Sequence, residues 1–438
     1  MYRINFTVWT FVFNVVAALA LLLPAIAQPS EQVAAPKRRA LGVYTIVTIT
    51  EGLDRPWSLA FLPDGTMLVT ELAGGLRIIR HGVLDAKPVA GLPAIWHEPF
   101  AGLMDVVLDP NFAKNQFVYL SYNKQGPKVR LGKQLMGHGL IVPDYYQWKP
   151  PGDPRITTTL AVARGRWDGI TLTDIREIFV ADDWKDQTIP AATAGRMAFG
   201  RDGMLYVAVG GANAPASEGP WSRVIGGVAQ DPARHGGKVL RLRSDGTVPR
   251  DNPFIGKSGY EPAIYTLGHR NVLGLALNPQ TGALWEHENG PAEGDEINVL
   301  KPGANYGWPT VGMGRDYRGD FIGGVGHVGP EVGRTEAYKM YLEGMEQPFL
   351  AWMPACAPSG MLFYSGDRFP NFKGNLFVGH LKDRRVERIV INEKGYVTQR
   401  EDLFVELKQR IRDVRQGPDG WIYLLTDSTN AEVLKVEL

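Results

Sequence analysis

Two arginines stand two residues apart in Arg410-Ile-Arg412. On an extended strand such residues share a face, so both guanidiniums reach one place. Planar guanidinium forks suit carboxylates better than any other side chain does. Lys382 follows the end of another apolar run, Leu376-Phe-Val-Gly-His. Further along, Glu288-Asn-Gly-Pro leads through Asp295-Glu-Ile-Asn to Asn305-Tyr-Gly-Trp-Pro. Among the histidines, His97 in Trp96-His-Glu-Pro-Phe100 and His138 are candidates for accepting a proton. His235 and His269 sit inside Arg-His-Gly-Gly-Lys and Gly-His-Arg-Asn and are read as loop-ordering residues. The single cysteine, Cys356, excludes an internal disulfide and reads as a small buried residue.

The elements that position these groups are strands. Gly (51) and Pro (31) are plentiful, which favours many short elements over long helices. A unit of strand, Pro-Asp-Gly or related turn, and further strands recurs along the chain. It opens at Ser58-Leu-Ala-Phe, Gly102-Leu-Met-Asp, Gly195-Arg-Met-Ala, Gly274-Leu-Ala-Leu, Gly360-Met-Leu-Phe and Asp413-Val-Arg-Gln. Six degenerate units in about 400 residues predict an all-β, six-bladed β-propeller of four-stranded antiparallel blades. Because the chain ends on a strand, Val433-Leu-Lys-Val, the last blade is expected to borrow one from the segment around Tyr44-Thr-Ile-Val. Two irregular stretches, Gln125 to Pro154 and Gly312 to Gln347, read as loops over the mouth of the ring.

Lys+Arg (47) and Asp+Glu (46) nearly cancel, so bulk charge does not direct the chain to nucleic acid. Residues 1–27 read as a signal peptide: Arg3, the apolar run Phe6 to Leu23, and Ala25-Ile-Ala27 before Gln28. Residues 28–40 read as a flexible tether and 41–438 as the propeller. No stable membrane span is expected after cleavage, and the mature protein is placed in the periplasm or outside the cell.

Five strings, in this order, resemble the soluble PQQ-dependent aldose dehydrogenases, the glucose/sorbosone dehydrogenase family. They are Tyr265-Thr-Leu-Gly-His-Arg-Asn; Glu288-Asn-Gly-Pro through Asp295-Glu-Ile-Asn to Asn305-Tyr-Gly-Trp-Pro; Ala357-Pro-Ser-Gly-Met; Asn375-Leu-Phe-Val-Gly-His-Leu-Lys; and Arg410-Ile-Arg-Asp-Val-Arg-Gln-Gly-Pro-Asp-Gly. The resemblance implies PQQ held by Arg270, Asn271, Lys382, Arg410 and Arg412, with Arg270 also counted among the catalytic residues. It implies a calcium on the carbonyls of Gly290 and Pro291, and a structural calcium at Glu296, Tyr306 and Asp316. The implied activity is oxidation of an aldose, aldehyde or alcohol, with hydride passing to the quinone and electrons to an external acceptor. The protein is expected to be a monomer or homodimer.

The resemblance breaks at one place. The family's histidine base, just before a strand-opening Gly-Arg, falls on Ala192, because that Gly-Arg is Gly195-Arg196. Its acidic partner falls on Gly211, and a polar substrate residue on Phe100. Three readings follow. His97, or less readily His138, serves as base; or the pocket takes a bulkier, less polar alcohol or a hydrated aldehyde; or the propeller binds PQQ or another ligand without turnover. A calcium-dependent lactonase-like hydrolase is a further alternative, but it needs carboxylates and amides around a central ion instead of an Arg/Lys cradle.

Overall fold

The computed structural model describes residues 36–129, 155–186, 193–211, 227–315 and 340–438. Its strands form six antiparallel sheets. The first strand of each sheet lines the axis: Pro56–Phe61, Leu103–Leu108, Ala194–Phe199, Val272–Leu277, Pro358–Phe363 and Ile411–Gln416. Each packs against the first strand of the next sheet, and the sixth returns to the first, so the expected six-bladed propeller is present.

The second strands explain why such sheets stack. Met67–Glu71, Leu205–Val209, Leu284–Glu288, Leu376–His380 and Ile422–Thr426 are buried at every position. A strand with a neighbouring sheet on both faces tends to a continuous apolar run instead of an alternation, as in Leu205–Val209, whereas Leu284–Glu288 buries Glu286, His287 and Glu288. Six main apolar clusters result, one at each junction between neighbouring blades. The turns between first and second strands repeat one device. Asp64, Asp202 and Asp419 each accept from the backbone N–H two residues on, at 2.9, 3.1 and 3.3 Å. Asp202 and Asp419 also accept from the tyrosine four residues on, Tyr206 and Tyr423, at 3.0 and 2.9 Å.

The sixth blade is closed by both ends of the chain. Tyr44–Leu53 pairs with Ala431–Glu437, from Thr45 opposite Glu437 to Leu53 opposite Ala431. The tether expectation changes here: Arg38–Leu41 is a fifth, outermost strand, so the ring begins before residue 41. Two ion pairs hold it, Arg38 to Glu437 at 2.6 Å and Arg39 to Glu432 at 3.2 Å. In the second blade, Phe117–Val129 and Arg155–Trp167 run longer than the other strands, and the short strand Lys185–Asp186 pairs with the latter. Strand therefore occupies the start of the first stretch read as irregular. Residues 130–154 and 316–339, the rest of that stretch and most of the other, lie outside the described residues.

Every axial strand carries a register shift near its start. Such a bulge re-aims a side chain, and here polar groups meet across the axis. Arg196, 2% exposed, is the hub. Its guanidinium contacts Asp105 at 3.5 Å and Asp413 at 3.3 Å, donates to the carbonyls of Leu273 and Arg412, and lies 4.1 Å over Trp57. Arg415 adds a 2.8 Å pair to Asp413, and Ser58 donates to Asp105.

Candidate functional site

In an antiparallel four-stranded blade, the second-to-third loop and the exit to the next blade lie at the same end. Most of the described candidates occupy or adjoin such connections, whereas Glu296 lies within Asp295–Val299 and Tyr306 in the third-to-fourth connection after it. Arg270 and Asn271 lie between Ile264–Leu267 and Val272–Leu277; Gly290 and Pro291 between Leu284–Glu288 and Asp295–Val299; Lys382 between Leu376–His380 and Val386–Ile391. Arg410 precedes Ile411–Gln416 and Arg412 lies within it; His97 and Phe100 precede Leu103–Leu108. One end of the ring therefore gathers them.

The cationic candidates are joined by a belt of hydrogen bonds. Arg270 Nη1 donates to the carbonyls of Asn289 and Gly290 at 2.8 and 2.7 Å, and its guanidinium lies 5.3 Å over Trp308. The Gly290 N–H donates to Asp295, whose other oxygen accepts from the N–H groups of Cys356 and Ala357 at 2.8 and 2.7 Å. Burial holds the Asp295 carboxyl above its ordinary range despite these donors. Lys382 donates its N–H to the carbonyl of Cys356 and its Nζ to that of Ala355, at 3.1 and 2.7 Å. Arg410 Nη1 reaches the Leu381 carbonyl at 3.3 Å.

Arg410 and Arg412 do share a face, and both meet Asp427 Oδ2, at 2.7 and 3.1 Å. Burial pushes Asp427 up, but the two guanidiniums outweigh it and hold its carboxyl below the ordinary range. Arg412 is nearly buried and bonds Ser359 Oγ at 3.5 Å. Along this belt the buried Arg270 Nε, Asn271 Oδ1 and Arg412 Nε have no hydrogen-bond partner. Native proteins seldom leave such atoms unpaired, so an anionic, hydrogen-bonding ligand suits this place.

Gly290 and Pro291 border a small neighbouring cleft, lined among others by Arg270, Glu288, Glu296, Tyr306 and Trp308. Glu286 and Glu288 stand opposite Asn298 and Glu296 on paired strands. The Asn298 amide donates to Glu286 and Glu296 at 2.7 and 2.9 Å. The Tyr306 phenol is committed to the Val299 carbonyl at 2.7 Å and the Lys301 N–H at 3.0 Å, which leaves its backbone carbonyl as the atom to offer an ion. Burial, then Glu288, raises Glu296 above its ordinary range. His269 is fully buried and stacks on Tyr306 at 4.8 Å. Burial opposes its charge, but Glu286 and Glu288 outweigh it and raise the imidazole to about 9. The loop-ordering reading of His269 fits this arrangement. His235 orders a loop too, accepting the Asp182 N–H on Nδ1 at 2.8 Å.

The other candidates divide. His97 is exposed, with its imidazole pKa lowered by partial burial and by Arg55. Phe100 is 54% exposed. Gly211 has no room for a side chain: a Cβ there would stand 2.5 Å from the Gly237 Cα and 2.7 Å from the His269 carbonyl. Its N–H donates to the Arg270 carbonyl at 2.8 Å. Cys356 is buried, and burial raises its thiol pKa. His138, Ala192 and Asp316 lie outside the described residues.

Three participants escaped the sequence reading. Asp427 follows a second strand, the register at which Asn289 stands in the fourth blade, and that repeat of a polar residue could have flagged it. Trp308 stands inside the Asn305-Tyr-Gly-Trp-Pro string but, like Glu286, has no partner identifiable before folding.

Residues 53–435 match the family model described as Glucose / Sorbosone dehydrogenase. The chain is 36% identical over 422 residues to the aldose sugar dehydrogenase YliI of Escherichia coli (strain K12), covering 95% of this chain and 97% of that one. It is 29% identical to the quinoprotein glucose dehydrogenase B of Acinetobacter calcoaceticus, covering 87% and 84%. The crystal structure of the soluble aldose sugar dehydrogenase from Escherichia coli in the apo-form superposes with a TM-score of 0.70 at 36% identity, over 90% of this chain and 99% of that one. With a match that spans nearly the whole propeller, the chain belongs to the glucose/sorbosone dehydrogenase family.

Proposed function

We propose that the protein is a PQQ- and calcium-dependent dehydrogenase that oxidises an aldose, aldehyde or alcohol and passes the electrons to an external acceptor. The observation that carries this reading is the cationic belt with its unpartnered buried atoms, Arg270 Nε, Asn271 Oδ1 and Arg412 Nε. Bound PQQ supplies a two-electron acceptor bearing carboxylates. Arg410 and Arg412 offer guanidinium forks for those carboxylates, Lys382 a third positive charge, and Arg270 and Asn271 polar contacts at the adjoining blade. The carbonyls of Gly290 and Pro291 suit a hard cation beside this belt. Gly290 O already accepts from Arg270, and a carbonyl has a second lone pair for an ion. Glu296, the Tyr306 carbonyl and Asp316 make a second oxygen set. His97 holds the role of proton acceptor at the same end of the ring; its lowered pKa keeps the imidazole neutral and able to take a proton.

Gly211 favours a substrate different from that of relatives with a side chain there. With no acid at that position and Phe100 exposed, the mouth suits a less polar alcohol or a hydrated aldehyde, while the backbone packed around Gly211 adds no room for a bulkier one. Residues 1–27 as a signal peptide agree with a periplasmic or secreted enzyme. Among the described residues no helix is long and apolar enough to cross a membrane.

The test is reconstitution of the mature protein with PQQ and calcium, followed by dye reduction with aldoses, aldehydes and bulky alcohols. A spectral shift with turnover supports the reading. No shift on adding PQQ overturns it. A shift without turnover identifies a binding propeller, and acid release from lactones without PQQ identifies a hydrolase.

A further inference from the structure

We propose that His269, Glu286 and Glu288 form a buried site for a four-coordinate divalent metal of the zinc class, separate from the calcium sites. His269 comes from the exit of the third blade, and both glutamates from the second strand of the fourth. Their ligand atoms lie within 4.8 Å of one another. His269 Nδ1 stands 3.5 Å from Glu286 Oε1 and 3.7 Å from Glu288 Oε2. Zinc bonds of about 2.0–2.2 Å at tetrahedral angles put neighbouring ligand atoms roughly 3.3–3.6 Å apart. The observed separations are therefore close to a ready-made coordination shell.

Two further facts point to a missing occupant. His269 and Glu286 are both 0% exposed, yet His269 Nδ1 and Glu286 Oε2 lack any hydrogen-bond partner. The supporting contacts orient the three side chains and still leave lone pairs for an ion. His269 Nε2 is engaged by Thr266 Oγ1 at 2.9 Å, which fixes the ring with Nδ1 toward the carboxylates. Second contacts of this kind orient metal-binding histidines. The Asn298 amide donates to Glu286 Oε1 and the Arg270 N–H to Glu288 Oε2 at 2.7 Å, the two oxygens nearest Nδ1; each keeps a second lone pair for an ion. Arg270 sends its guanidinium elsewhere, to the Asn289 and Gly290 carbonyls, so it does not neutralise the pair. One imidazole nitrogen with two carboxylates is a borderline donor set, better matched to zinc than to calcium. Glu288 also lines the adjoining cleft, which gives an ion its way in. The occupied site would pin the backbone of Arg270 between two blades.

The experiment is a cobalt(II) titration of the full mature chain after EDTA treatment and dialysis, without PQQ. Four-coordinate cobalt gives intense visible d–d bands, and six-coordinate cobalt gives weak ones. Bands that saturate at about one equivalent, disappear on adding zinc, persist with excess calcium, and need at least ten-fold more cobalt in Glu286→Gln are the expected result. Absence of intense bands in the wild-type chain overturns the proposal and leaves an imidazolium between two carboxylates. Bands with the same midpoint in a folded Glu286→Gln protein overturn it as well. If that variant does not fold, retained wild-type cobalt bands in the presence of excess zinc are the overturning result.

Discussion

The indole N–H of Trp308 donates to the carbonyl of Gly211 at 3.1 Å, while the Gly211 N–H donates to the carbonyl of Arg270 at 2.8 Å. The glycine is thus clamped between an aromatic residue and the backbone of a cationic one, under a ceiling made by Gly237 and His269. Gly211→Asp, which restores the acid expected from the family pattern, should therefore fail to raise activity towards simple aldoses. Overpacking against backbone typically costs about 1–3 kcal/mol, and a thermal melt should show that loss. A variant as stable as the parent and more active on aldoses would contradict this account.

Asp427 balances two guanidiniums. Asp427→Asn should destabilise the cofactor-free protein by about 3 kcal/mol, because it leaves nearly buried Arg412 unpaired. Added PQQ should then restore more of the lost melting temperature than it adds to the wild type, since cofactor carboxylates replace the missing anion. Equal PQQ-induced shifts in both proteins would argue that the cofactor does not meet these arginines.

His97→Ala tests the proton acceptor. Loss of a positioned base typically slows turnover ~10²–10⁴-fold. Partial burial and then Arg55 lower the His97 pKa, so wild-type kcat/KM should fall only below the ordinary histidine range as pH drops. The variant should lose both the rate and that acid limb. A variant with unchanged turnover removes His97 from the mechanism.

His235 predicts a pH dependence of folding that is independent of turnover. Burial depresses its pKa from 6.5 to about 4, and its Nδ1 accepts an N–H, so the folded protein holds it neutral. A depressed folded pKa gives stability that is full above the unfolded value and is lost as pH falls through the folded one. The difference corresponds to about 3 kcal/mol, lost between about pH 6.5 and 4. Urea melts across that range should show a steeper decline in the wild type than in His235→Gln. Parallel curves would remove His235 as the cause.

Much of this architecture was legible in the sequence because the repeat is local. Asp202-Gly and Asp419-Gly carry their turn chemistry within four residues, and Leu205–Val209 shows its two-sided burial as an unbroken apolar run. The i, i+2 spacing of Arg410 and Arg412 likewise predicted a shared face. The strand at Arg38 pairs with the nearby Tyr44–Val47, but it was missed because the glutamates that hold its arginines, Glu432 and Glu437, lie at the far end of the chain. Asp427, the common partner of Arg410 and Arg412, lies one strand further on in the same blade and was hidden behind the adjacent Asp413. Asp413 belongs instead to Arg196 and Arg415, and only the axial bulges reveal that choice.

The seam in the sixth blade also sets an order of events. Arg38 and Glu437, which meet at 2.6 Å, are 399 residues apart, so the ring cannot shut until the strand Ala431–Glu437 has been made. Synthesis of five blades leaves an open arc whose terminal edges still expose unpaired strand, a hazard for sticking to other chains. Contacts this distant in sequence also slow folding. Deleting the final strand, Ala431–Glu437, should therefore give a protein that is cleaved rapidly by protease from its ends, whereas shortening an exposed turn should not. Timing, and not only shape, is written into where the chain starts and stops its circuit.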